Sequence, residues 1–190
     1  MNAAGAKILS NPHPCGHIIY PYTDEGLVGQ AVALFASAGI RDKEGVILIM
    51  SRDHCESIRL RLQLEGIDPT AYEHTGQLTC VIADELLESF MLDGVLDEGM
   101  FRSKIDALVN RAKYGGLERR KRARIFGEMV SQLRLKDVNA TVRLEELWNE
   151  TIDRHKVALL CTYALTDPHD HVSEKLSSLH SHNIEREHDV

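Results

Sequence analysis

Apolar runs alternate with amphipathic stretches along this chain. Val46 to Met50, Leu78 to Ala83 and Val157 to Tyr163 are almost continuously apolar, as expected of strands covered on both faces. His17 to Tyr20, closed by Pro21, and Ala123 to Phe126 are two shorter strand candidates. Between them the period changes to 3.6. Asp24 precedes a helical pattern with Leu27, Ala31, Leu34 or Phe35, and Ala38 on one face, and Gly39 stands where a C-cap is expected. Further helices are predicted from about Glu56 to Leu64, ending at Gly66, and over Glu85 to Met91, broken by Asp93-Gly94. Another runs through Phe101, Ile105, Leu108 or Val109, and Ala112, closed by Gly115-Gly116. A helix with Met129, Val130 and Leu133 follows Gly127. The clearest amphipathic helix spans roughly Asn139 to Asp153, with Ala140, Leu144, Leu147 or Trp148, and Ile152 on its apolar side.

Strands alternating with helices at this spacing predict an α/β fold, with a mostly parallel central sheet flanked by helices. Such sheets carry functional groups at the C-terminal ends of their strands. Those ends fall at Tyr20 to Asp24, Ser51 to His54, Asp84 to Glu85, and Gly127 to Glu128. After Pro168 the pattern weakens to a short helix through Val172, Leu176 and Leu179 and then a polar tail. The expected division is an N-terminal extension over 1–16, one domain over 17–165, and a His-rich C-terminal segment over 166–190.

Composition narrows the function classes. Of 190 residues, 43% are hydrophobic and 27% charged, which suits one domain with a real core. The formal net charge of -7 disfavours nucleic acid as a direct partner. No apolar run approaches the roughly 18 to 20 residues that cross a bilayer. Met1 to Ser10 lacks the apolar region of a signal peptide, so the cytoplasm is the default expectation. Cys15, Cys55, Cys80 and Cys161 form no CxxC pair, which argues against both a disulfide framework and a zinc ribbon.

A phosphate-binding loop after the first strand would need Gly-Lys-Ser or Gly-Lys-Thr at the helix start. Pro21-Tyr22-Thr23-Asp24-Glu25-Gly26 instead puts carboxylates there. The candidate ligand-binding residues are His17, Tyr20, Tyr22, Asp24 and Glu128, grouped in a small-molecule cleft at the strand ends. The aromatics also suit packing against the next helix, and Glu128 suits a helix first turn, where the dipole favours negative charge. Glu145, Trp148 and Asn149 share a helix region fit for either a pocket or an interface, although a lone tryptophan such as Trp148 is more often core than contact. Arg119, Arg120, Lys121, Arg122 and Arg124 form the basic run, read as a solvated loop. His169-x-His171 and His180-x-His182 have the spacing of metal-ligand pairs, but acidic or cysteine partners are not evident. No metal and no catalytic residue are assigned.

The ordered series His17-x-x-Tyr20, Gly76-Gln77-Leu78, Arg124-Ile125-Phe126-Gly127-Glu128-Met129, Leu144-Glu145-Glu146-Leu147-Trp148-Asn149 and Leu160-Cys161-x-Tyr163 resembles the MEDS domain. That family is named for methanogens, methylotrophs and the DcmR sensory domain. A weaker echo lies at His180-Ser181-His182. The resemblance implies a RecA-like, three-layer sandwich related to KaiC-like ATPases, with the Walker A chemistry lost. It further implies a sensory module for small organic or hydrocarbon-derived signals, acting with a histidine kinase or transcription regulator. No output domain is recognised, so a separate regulatory partner is expected, and self-association is a further expectation. The alternative is a nucleotide-binding RecA-like protein with weak or absent ATPase activity. Val130 departs from the pattern, standing where the family often has tryptophan.

Overall fold

The computed structural model describes residues 1–116, 118–166 and 172–184. Each apolar run forms a strand: β1 (His17–Tyr22), β2 (Gly45–Met50), β3 (Leu78–Ile82), β6 (Ala123–Gly127) and β7 (Ala158–Ala164). A short strand, β8 (His182–Asn183), joins them in a six-stranded sheet of order β3-β2-β6-β7-β1-β8. Every pairing within it is parallel. Two short strands, β4 (Met91–Leu92) and β5 (Val95–Leu96), form a separate antiparallel hairpin around Asp93-Gly94. Among the described residues no helix is long and apolar enough to cross a membrane.

Helices cover both faces, producing the expected three-layer α/β sandwich. On one side α6 (Glu98–Tyr114) and α8 (Val138–His155) bring Phe101, Ile105, Leu144 and Trp148 against Ile19, Ile125, Leu159 and Tyr163 of the strands. On the other, α1 (Ala3–Ser10) and α2 (Glu25–Arg41) place Leu9, Val32 and Phe35 against Ile18, Leu48, Phe126 and Leu160. Residues 1–16 therefore include a helix that contributes a core leucine. Asn2 caps it, its side chain accepting from the Gly5 N–H.

Two local expectations change for packing reasons. Helix α2 does not stop at Gly39 but continues to Arg41. A Cβ at Gly39 would lie 2.6 Å from the Arg124 side chain, so this glycine serves a close approach rather than a cap. The basic run is likewise only partly a solvated loop. Arg119 and Lys121 are exposed, but Arg120 donates to the carbonyls of Thr75 and Ala112. Arg124 is wholly buried, donates to Glu44 Oε2 at 2.6 Å and to the Phe35 carbonyl at 3.0 Å, and lies over the Phe35 ring. A guanidinium is tolerated there because Glu44 offsets its charge and its Nε and one Nη donate inside the protein.

Candidate functional site

The sheet divides the cleft expected around His17, Tyr20 and Glu128. Side chains alternate between faces along a strand, so positions 17 and 20 point to opposite sides. Tyr20 and Tyr22 join the core beneath α2, whereas His17 reaches α8 on the other side. Two distinct polar groups result.

The first lies at the C-terminal ends of β1, β2 and β6. The helix α3 (Arg52–Leu64) begins immediately after β2, and its N-cap, Ser51, donates its N–H to Glu128 Oε2 at 2.7 Å. Glu128 Oε1 accepts from His54 Nδ1, and His54 Nε2 lies 2.5 Å from Glu25 Oε2. Both ring nitrogens thus face carboxylates, which suits an imidazolium. The hydrogen bond to Glu128 is the main reason that the His54 pKa is raised to about 9, with Glu25 adding to it against the cost of burial. Burial, followed by the charges of Glu25 and Glu128, pushes the Tyr22 phenol upward. Asp24 is the N-cap of α2, accepting from the N–H groups of Gly26 and Leu27. His54 was marked by its position at a strand end, but nothing in the sequence paired it with Glu128.

The second group is sealed between the sheet and α8. Glu145 and Asn149, four apart on α8, face His17 at the start of β1 and Cys161 in β7. Glu145 is fully buried. Its Oε2 lies 3.2 Å from His17 Nε2 and 3.7 Å from Cys161 Sγ, and its Oε1 accepts from the Tyr163 hydroxyl. His180 completes the group from the connection between α9 (Glu174–Ser177) and β8, its ring centroid 4.0 Å from that of His17. The Nε2 of His180 lies 3.4 Å from Glu145 Oε1, and the side chain has no solvent exposure. One ligating atom from each of His17, Glu145, Cys161 and His180 lies within 4.8 Å of all the others.

The hydrogen bonds fix the direction of both imidazoles. His17 Nδ1 meets the side-chain oxygen of Asn149 at 2.9 Å and the Leu179 carbonyl at 3.1 Å, while His180 Nδ1 meets the Leu176 carbonyl at 2.8 Å. Carbonyl oxygens only accept, so each Nδ1 donates, and each Nε2 points into the centre. Burial pushes the Glu145 carboxyl upward, but the facing imidazoles outweigh it and hold the group well below the usual carboxylate range. Burial first, and then the Glu145 charge, push the Cys161 thiol and the Tyr163 phenol upward.

Of the residues expected at an interface or pocket, Glu145 and Asn149 belong to this centre. Trp148 is core, meeting the Phe101 ring edge-to-face at 5.1 Å. Val130 is buried too, so that departure from the family pattern falls on internal packing. His182 is on β8, whereas His169, His171 and His188 lie outside the described residues. Sequence reasoning missed the pairing of His180 with His17. The signals were present in His180-Ser181-His182 and Leu160-Cys161-x-Tyr163, but neither motif reveals that the two meet.

The fold is thus a three-layer α/β sandwich with carboxylates where a phosphate loop would sit and a sealed polar centre beneath residues 172–184. The family model described as the methanogen/methylotroph, DcmR sensory domain, MEDS, matches residues 16–181, and the chain belongs to that family. Its role is accordingly that of a sensory or signalling domain. No curated protein matches the chain.

Proposed function

We propose that this domain takes up a small organic molecule at the His17, Glu145, Cys161 and His180 centre and passes the signal through residues 172–184 to a regulatory protein such as a histidine kinase or transcription regulator. The observation that carries the reading is the position of His180. It closes the centre over His17 while its neighbours bind the sheet edge. Ser181 donates its N–H to the His17 carbonyl at 2.8 Å, and Ile184 donates to the Ile19 carbonyl at 3.0 Å. A molecule entering the centre must displace His180, and the displacement loosens a strand only two residues long. A partner that distinguishes the docked from the released segment would then bind the two states unequally, as any ligand-driven switch requires.

Tyr22, Asp24 and Glu128 at the strand ends are proposed as secondary ligand contacts, and the nucleotide alternative would use the same place. Its geometry disfavours phosphate. The first N–H groups of α2 already donate to Asp24, and the Ser51 amide donates to Glu128. A phosphate would have to displace carboxylates from donors they already occupy.

Hydrogen exchange by mass spectrometry tests the reading, with short-chain alcohols, amines and carboxylates as probes and Mg-ATP alongside. A binding compound is expected to speed exchange at residues 180–184, and His17→Ala is expected to abolish its binding without unfolding the protein. Binding that leaves exchange there unchanged, or equal affinity for a regulatory partner with and without the compound, would defeat the proposal.

A further inference from the structure

With both imidazoles neutral, the buried centre contains more acceptors than its own protons can serve, and either a proton on each Nε2 or a bound cation makes up the difference. Glu145 presents two oxygens, and His17 and His180 each present the Nε2 left over once Nδ1 has donated to a carbonyl oxygen. Against these stand the Tyr163 hydroxyl and the Cys161 thiol, both directed at Glu145. His180 Nε2 is buried and makes no hydrogen bond, although it points at the carboxylate. An unserved buried nitrogen is costly unless something at the centre takes its lone pair.

We infer that the centre is a four-coordinate site for a divalent transition ion of the zinc class, held by His17 Nε2, His180 Nε2, Cys161 Sγ and a Glu145 oxygen. Two imidazoles, a thiolate and one carboxylate are a donor set suited to zinc, cobalt or ferrous iron rather than magnesium or calcium. Tetrahedral bonds of about 2.0 to 2.3 Å place neighbouring donors roughly 3.3 to 3.8 Å apart. Around Glu145 Oε2 the observed separations are 3.2 Å to His17 Nε2 and 3.7 Å to Cys161 Sγ, with 3.5 Å between those two; His180 Nε2 lies 3.4 Å from the other oxygen, Oε1, and the four ligating atoms lie within 4.8 Å of one another. A turn of the Glu145 carboxylate and a closing of the wider pairs would complete the shell.

The surrounding contacts are those that metal-binding histidines need. Ligating imidazoles usually donate their second N–H to a carbonyl or carboxylate, which fixes the tautomer and aims the ring. Leu176 and Leu179 supply such carbonyls here, Asn149 steadies His17, and Tyr163 orients the carboxylate. Binding would convert the Cys161 thiol to a thiolate, its proton leaving to solvent. The inference deepens the sensory reading, because an ion at this point would give an incoming oxygen or nitrogen donor a partner in exchange for His180.

The test uses the full chain, stripped of metal with a chelator and titrated with cobalt(II). The expected result is one ion per chain, with visible ligand-field bands and a near-ultraviolet thiolate-to-cobalt band, all lost when zinc is added. Cys161→Ser should abolish the charge-transfer band, and His180→Ala should weaken affinity at least about tenfold, the scale set by losing even an outer partner of a metal ligand. Replacing His169, His171, His182 and His188 with alanine should leave the spectrum intact. Absence of the charge-transfer band in the wild-type protein would overturn the inference whatever the variants do, as would its survival in folded Cys161→Ser. Loss of binding with the four-histidine replacement would do the same, since it would assign the ion to the tail. A cobalt spectrum in a protein whose residues 180–184 ignore every bound probe would leave the metal site standing and remove the sensory reading. The reverse pattern would do the opposite.

Discussion

Glu128 and Glu145 are both buried glutamates facing histidine, yet they sit in opposite situations. At the strand ends the hydrogen bonds close on themselves. His54 offers a nitrogen to each of two carboxylates, and the Ser51 amide serves the remaining oxygen of Glu128. Beneath α8 they do not close, because the Nδ1 atoms of two imidazoles donate to backbone carbonyls and His180 Nε2, turned toward the carboxylate, makes no hydrogen bond. A partly exposed ion pair can be complete in itself. A sealed group with an unserved nitrogen is where the proposed cation would sit. What separates them is the count of donors against acceptors together with access to water.

The largest expected effect is on folding. Glu145→Ala would strip a buried network of its shared acceptor and should cost about 3 to 5 kcal/mol in urea or thermal unfolding. Trp148→Ala, which leaves the polar centre intact, should cost a similar ~3 to 5 kcal/mol through lost packing alone. Only the Glu145 variant should also lose cobalt binding. If the tryptophan variant lost it to the same degree while folded, the distinction between core and centre would collapse.

Glu128→Gln should be milder, costing about 1.5 to 3 kcal/mol, the range for a hydrogen bond to a charged group. This variant also sharpens the comparison through pH. His54 has a folded pKa of about 9 against an ordinary 6.5. Its charged form is thus favoured by folding, so its contribution to stability is complete below about 6.5 and lost as pH rises through about 9. NMR titration of the His54 ring should show the high midpoint, and Glu128→Gln should bring it down, with Glu25 alone sustaining part of the shift. A midpoint near 6.5 in the unaltered protein would break the assignment of a closed ion pair.

The smallest effect belongs to the exposed part of the basic run. Arg119→Ala should change stability by no more than about 0.5 kcal/mol. Arg124→Ala, which leaves the buried Glu44 with Arg122 as its remaining ion-pair partner, should be destabilising by about 1.5 to 3 kcal/mol, the range for hydrogen bonds to charged groups. Similar unfolding midpoints for the two variants would contradict the burial difference within that run.

Much of the architecture was legible along the chain. Apolar runs such as Val46 to Met50 are long enough to reveal strands covered on both sides, and the 3.6 period between Phe101 and Ala112 marks its helix because each side chain reports its own burial. The missing phosphate loop was equally plain, since Asp24 and Glu25 occupy the place where phosphate needs donors. Strand β8 left no such trace, because two residues cannot display a period. The alternation that sends His17 and Tyr20 to opposite faces is a property of β1 itself and was available from the sequence once the strand was assigned. Which helix covers each face was not. The meeting of His17, Glu145, Cys161 and His180 depends on parallel strand order, on the docking of α8, and on a sheet-edge pairing that returns the chain to β1. Local pattern thus determined the elements and the residues available for chemistry. Tertiary packing alone decided which of them share a buried centre, because contacts between distant segments follow from how whole faces fit together and leave no period in the sequence.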